Sequence, residues 1–148
     1  MSNLYSLAYI SKNTIKGSEE ETKEEIRDIL TAANRNNVVN GVSGALLYSG
    51  GYFCQVIEGP GHIVEELFET IQMDPRHSDV TLLHFEPIVS RSFSEWAMAF
   101  VGIEENMCFD IDGVRASKDD LKMKEAGHNL VNVLEKMVNQ HQLVLNSK

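Results

Sequence analysis

The chain has 148 residues, a net charge of −9 and a pI near 4.9, which allows one domain with a real core and leaves no room for a second full catalytic domain. Its 13 basic residues are scattered, which argues against direct nucleic-acid binding, where phosphates are neutralised by clustered Lys and Arg. Cys54 and Cys108 are far apart, the histidines have no ligand spacing, and no stretch approaches the ~18 apolar residues of a membrane span, so the expectation is a soluble, cytoplasmic protein with no metal and no membrane association.

Leu4 to Ile10 alternates apolar and other residues and predicts a first strand, with Tyr5, Leu7 and Tyr9 on one face. Ser18-Glu19-Glu20-Glu21 has capping-box spacing and starts a helix with Ile26, Ile29, Leu30 and Ala33 on its apolar side. That helix is expected to fade at Asn34-Arg35-Asn36-Asn37, because asparagine competes for backbone hydrogen bonds. Val42 to Tyr48 is a second strand, with Gly44 permitting a close approach to its backbone. Ser49-Gly50-Gly51 then turns the chain into a third strand, Tyr52 to Gly59.

This third strand places one amide, Gln55, among apolar neighbours. On a period of two, Phe53, Gln55 and Ile57 share a face, and Tyr52, Cys54, Val56 and Glu58 share the other. A buried amide without partners costs about 1–3 kcal/mol per unsatisfied group, so something polar must meet Gln55.

Ile63, Val64, Leu67, Phe68 and Ile71 mark a second amphipathic helix, ending near Met73-Asp74-Pro75-Arg76-His77. Val80 to Glu86 is a fourth strand. Trp96 to Val101 is a fifth, with Trp96, Met98 and Phe100 on one face. The order β-α-β-β-α-β-β predicts an α+β fold, ferredoxin-like βαββαβ with an added strand, and both crossover helices on one side of the sheet. After a polar stretch, Ser117-Lys118-Asp119-Asp120 opens a tail helix with Leu130, Val133, Leu134, Met137 and Val138 along one side. That stripe is expected to cover the opposite face of the sheet or to meet a second subunit. The chain is thus expected to divide into a domain, 1–102, and an extension, 103–148.

The unexplained polar residues can all line the cleft between the two crossover helices: Tyr9, Asn36, Asn37, Gln55, Asp74, Arg76 and His77, with Ile29 and Ile71 as apolar walls. Neutral amides between apolar plates suit a flat heteroaromatic ring rather than an anion or a metal. No general base pairs with a nucleophile, so enzymatic activity is not expected.

The motifs Ala8-Tyr9-Ile10-Ser11, Arg35-Asn36-Asn37 with Asn40-Gly41-Val42-Ser43-Gly44, Phe53-Cys54-Gln55-Val56-Ile57-Glu58-Gly59, Asp74-Pro75-Arg76-His77 and Phe93-Ser94-Glu95-Trp96-Ala97-Met98 follow one another in this order. From about Leu4 to Val101 the sequence closely resembles the BLUF family of blue-light sensors that use FAD. The resemblance implies a noncovalently bound FAD, with FMN or riboflavin as substitutes, whose ring lies between Ile29 and Ile71. It implies Asn37 on the carbonyl and imide edge of the ring with Asn36 assisting. Asp74 and Arg76 would lie at the pyrimidine edge or ribityl chain, with His77 nearby. Gln55 would bridge Tyr9 and the flavin, and Trp96 and Met98 would lie on a strand that differs between dark and lit states. Simple core packing is the alternative for Trp96 and Met98. The implied output is a light-switched interaction with a downstream protein in a homo-oligomer, a dimer or larger. The competing expectation is a light-independent ferredoxin-like module that binds a small metabolite in the same cleft.

Overall fold

The computed structural model describes residues 3–15, 17–49, 51–94, 98–104 and 120–146. Trp96 and the start of the tail capping box at Ser117 lie outside these residues. Strand β1 (Leu4–Asn13) leads to helix α1 (Glu19–Asn40), the β2–β3 hairpin (Ser43–Ser49 and Tyr52–Pro60), α2 (Gly61–Gln72), β4 (His77–Pro87), β5 (Ala99–Glu104) and α3 (Asp120–Asn146). The sheet order is β4-β1-β3-β2-β5. The first four strands pair antiparallel and β5 joins β2 parallel, which is the ferredoxin-like βαββαβ arrangement with one strand added.

Local sequence accounts for the ends of α1. Ser18 Oγ accepts from the Glu21 backbone N–H at 3.2 Å while the Glu21 side chain accepts from the Ser18 N–H, completing the capping box. The helix does not stop at the asparagines. It continues to Asn40, because the Asn34 side chain turns back to the Leu30 carbonyl at 2.8 Å and Gly41, at φ 70°, closes the last turn onto the Asn37 carbonyl. Gly44 is required by proximity. A Cβ there would lie 2.2 Å from the carbonyl oxygen of Val56 on β3.

The period-2 pattern divides the core in two. Leu7, Tyr9, Leu46, Phe53 and Ile57 face α1 and α2, meeting Ile26, Leu30, Val64, Leu67 and Phe68. Ala8, Ile10, Leu47, Cys54 and Val56 face the other way, against Leu130, Leu134 and Val138 of α3. The apolar stripe of α3 therefore lies on the face of the sheet that the crossover helices leave open. Each fully buried leucine there stabilises the pairing by about 1.5–3 kcal/mol. β5 begins at Ala99, so Met98 stands just before the strand rather than within it. Among the described residues no helix is long and apolar enough to cross a membrane.

Candidate functional site

Between α1 and α2 the sheet is not fully covered. A cleft of about 120 Å³, partly continuous with solvent, opens there. Tyr9, Ile29, Asn36, Asn37, Gln55, Ile71, Asp74, Arg76, His77 and Met98 all line it, so every described candidate from the sequence converges on one volume. Ala33, Leu46, Phe53 and Leu67 complete the apolar lining. Phe53 is legible in the sequence as the neighbour of Gln55 on the same face of β3. Leu46 comes in because it sits opposite Gln55 in the β2–β3 register.

The floor of the cleft is a short polar chain. Tyr9 and Gln55 are direct cross-strand partners in the β1–β3 ladder, which brings their side chains together on one face. The Tyr9 hydroxyl donates to Gln55 Oε1, and Gln55 Nε2 reaches Met98 Sδ at 3.4 Å. Tyr9 is 4% exposed and Gln55 7%. Burial above all, and then the negative charge of Asp74 and the proximity of Cys54, push the Tyr9 phenol far above its ordinary range, so it keeps its proton. Phe68 and His77 pack around its ring, at centroid distances of 5.5 and 6.1 Å.

Met98 is held from a second direction. Its backbone N–H donates to Asn34 Oδ1 at 3.1 Å, tying the segment before β5 to α1. Sequence reasoning sees Asn34 only as part of a helix stop and misses this contact. His77 is fixed at both nitrogens. A carbonyl can only accept, so Nε2–H donates to Ile71 O at 2.5 Å and Nδ1 accepts from the Ser11 hydroxyl at 2.7 Å.

At the mouth, the Arg76 guanidinium forks onto both carboxylate oxygens of Asp74 and also lies 3.7 Å from Glu25. Its hydrogen bonds hold the Asp74 carboxyl below the usual carboxylate range. Asn37 is buried and Asn36 exposed, one turn end offering amide groups at two depths.

A second polar group, missed by sequence reasoning, anchors the loop that leads to Met98. Glu58 on β3 is 1% exposed, and its carboxylate accepts from Ser43 Oγ, Ser92 N–H and Phe93 N–H at 3.1, 2.8 and 2.9 Å. Arg91 donates to Ser43 Oγ and to the carbonyls of Glu58 and Gly41. Burial outweighs these donors and raises the Glu58 pKa above its ordinary value. The only sequence signal is an acid within an apolar strand.

The cleft thus offers apolar walls, neutral amides along one side, and a charged pair at the opening. That set fits a planar ring with a hydrogen-bonding edge, including a flavin. Comparison with known proteins agrees. Residues 4–99 match the family described as BLUF, sensors of blue-light using FAD. The chain is 36% identical over 96 residues to the photoactivated adenylate cyclase subunit beta of Euglena gracilis, covering 64% of this chain and 11% of that protein. It is 32% identical over 80 residues to the blue light- and temperature-regulated antirepressor BluF of Escherichia coli (strain K12), covering 54% of this chain and 20% of that one. The chain therefore spans only a small part of these curated relatives. Among solved structures, the dark state of BlrB, a BLUF protein, superposes with a TM-score of 0.68 at 32% identity, covering 93% of this chain and 96% of that one. The ground state of BlsA gives 0.70 at 30% identity, over 89% and 87%. The fold, the matched segment and the solved relatives agree: the chain belongs to the BLUF family of sensors of blue light using FAD.

Proposed function

We propose that the Tyr9–Gln55–Met98 chain is the light-switched element of this protein, and that Ile29, Ile71, Asn36, Asn37, Asp74, Arg76 and His77 hold the flavin against it. The carrying observation is that chain itself: a buried phenol bonded to a buried amide, whose far end meets a thioether. A bound FAD supplies the light absorption and, once excited, a demand for an electron from a nearby donor.

Among the described residues that line the cleft, Tyr9 is the phenol that can act as donor. Its phenol holds its proton firmly at rest, and Gln55 Oε1 is already in place to accept that proton once the ring has lost an electron. Gln55 can respond because an amide presents an acceptor and a donor of nearly the same shape. Turning it over exchanges what faces Tyr9 and what faces Met98. The bond given up on the Met98 side is an N–H···S contact, among the weakest available to an amide. In a site this dry the exchange has a large energetic effect. Release of Met98 then reaches the start of β5, which pairs with β2, and α3 packs across both.

On this reading residues 1–102 sense and residues 103–148 carry the output to a downstream protein or a second copy of the chain, in the cytoplasm and without catalysis by this chain. The test is optical. Protein loaded with FAD should show its flavin absorption bands shift slightly to the red under blue light and return in darkness. Tyr9→Phe should retain FAD and lose the shift. A normal photocycle in Tyr9→Phe would overturn the assignment.

A further inference from the structure

We propose that His84, Glu86 and His128 form a site for one zinc-class divalent metal ion that fastens helix α3 to strand β4. The three lie on the face of the sheet away from the cleft. His84 and Glu86 are two apart on β4 and so share that face, and His128 comes down from α3. One ligand atom from each lies within 4.8 Å of the others.

Proximity alone would be an ordinary surface cluster. Two further features point to a ligand. His84 is 5% exposed, its Nε2 meets Ser6 Oγ at 2.9 Å, and its Nδ1 is buried with no hydrogen-bond partner among the described residues. Leaving such an atom unsatisfied costs about 1–3 kcal/mol. In the tautomer whose Nε2–H donates to Ser6 Oγ, Nδ1 carries a bare lone pair. That is the arrangement of a metal-binding imidazole oriented by a second partner.

The other feature is Gly127, inside α3. Its backbone is ordinary, yet a Cβ there would lie 2.3 Å from His84 Nδ1. Glycine in a helix interior costs about 1 kcal/mol relative to alanine. Here the helix is cut away where the unpartnered nitrogen emerges, so two unfavourable features coincide at one point.

The other two ligands lie nearer the surface than His84. Glu86 Oε1 contacts His128 Nε2, and the half-exposed Lys124 places its Nζ 3.7 Å from Oε2 of the less exposed Glu86, a long contact worth little. His128 is itself 52% exposed and can rotate. Zinc with bonds of about 2.0–2.2 Å needs its ligands about 3.3 Å apart, a contraction that this rotation can supply. Two imidazoles and a carboxylate select a zinc-class ion over magnesium or calcium and leave a fourth position for water. An open cleft along Leu82, Phe85, Leu121 and Met123 gives solvent a route to the same edge.

The test uses tag-free, full-length protein stripped with EDTA and titrated with zinc chloride by calorimetry. One zinc per chain is expected, with a rise in thermal midpoint and no response to magnesium chloride. His128→Ala changes an exposed side chain and should weaken binding at least tenfold, as should Glu86→Gln, which keeps the shape. Cobalt(II) should give visible d–d bands in the wild type that His128→Ala removes. Absence of a stoichiometric zinc site, or wild-type affinity in both variants, would overturn the proposal.

Discussion

The two faces of the sheet treat Gln55 and Glu58 in opposite ways. Toward α1 and α2, Tyr9, Gln55, Asn37 and His77 surround a volume that the protein does not fill. Toward α3, the buried leucines and valines close the core, and the polar Glu58 is saturated by three donors from its own chain. Two residues of one strand, Gln55 and Glu58, therefore belong to different kinds of site. A side chain facing an unfilled volume can exchange partners without leaving backbone donors stranded. One sealed among backbone donors cannot, because each donor it abandons stays buried and unpaired.

The sharpest way to break this contrast is at Gln55. Gln55→Leu keeps the side chain's bulk and removes both the acceptor for Tyr9 and the donor to Met98. FAD should stay bound while the light-induced spectral shift disappears completely, measured as a light-minus-dark difference spectrum. A retained shift would mean that the amide is not the exchanging group. Glu58→Ala should act on stability instead. It removes the acceptor of the Ser43 O–H and strands the N–H groups of Ser92 and Phe93, and should cost about 2–4 kcal/mol in urea unfolding, partly offset by relief of carboxylate burial. Glu58→Gln, with one acceptor oxygen left, should fall between.

The next test sits on the α3 face. Helix propensity alone says that Gly127→Ala should stabilise by about 1 kcal/mol. The 2.3 Å clash with His84 Nδ1 reverses the sign, and a net loss of about 1–2 kcal/mol is expected in the same unfolding assay. A gain in stability would show that the His84 ring yields easily.

Much of this contrast is legible in the amino-acid sequence. Alternation in β1 and β3 assigns each residue to a face, and the capping box at Ser18 and the stripe Leu130, Leu134, Val138 locate two helices, because these signals are local. The cleft residues are also legible, since a buried amide and a cluster of asparagines are anomalies that ask for partners. The rest depends on contacts between distant segments. Asn34 looks like a helix breaker until its carbonyl meets Met98, and α1 runs on because Gly41 closes it later. Glu58 takes its donors from a loop far along the chain. His84 and His128 have no motif spacing, and only the packing of α3 on β4 brings them together.

The smallest effect is expected at the mouth of the open cleft. Arg76, by hydrogen bonds first, holds Asp74 below its ordinary pKa of 3.8, against the opposing effect of burial. A folded-state pKa below the unfolded one means that the pair's stabilisation is present above the unfolded value and is lost as pH falls through the folded value. Asp74 is partly exposed, so solvent screening limits the contribution to under about 1 kcal/mol. Urea midpoints of wild type and Asp74→Asn should differ slightly at neutral pH and converge in strong acid, with high salt narrowing the gap. If Asp74→Asn instead cost as much as Glu58→Ala, the opening would be as dry as the sealed face, and a ligand entering there would meet a closed protein.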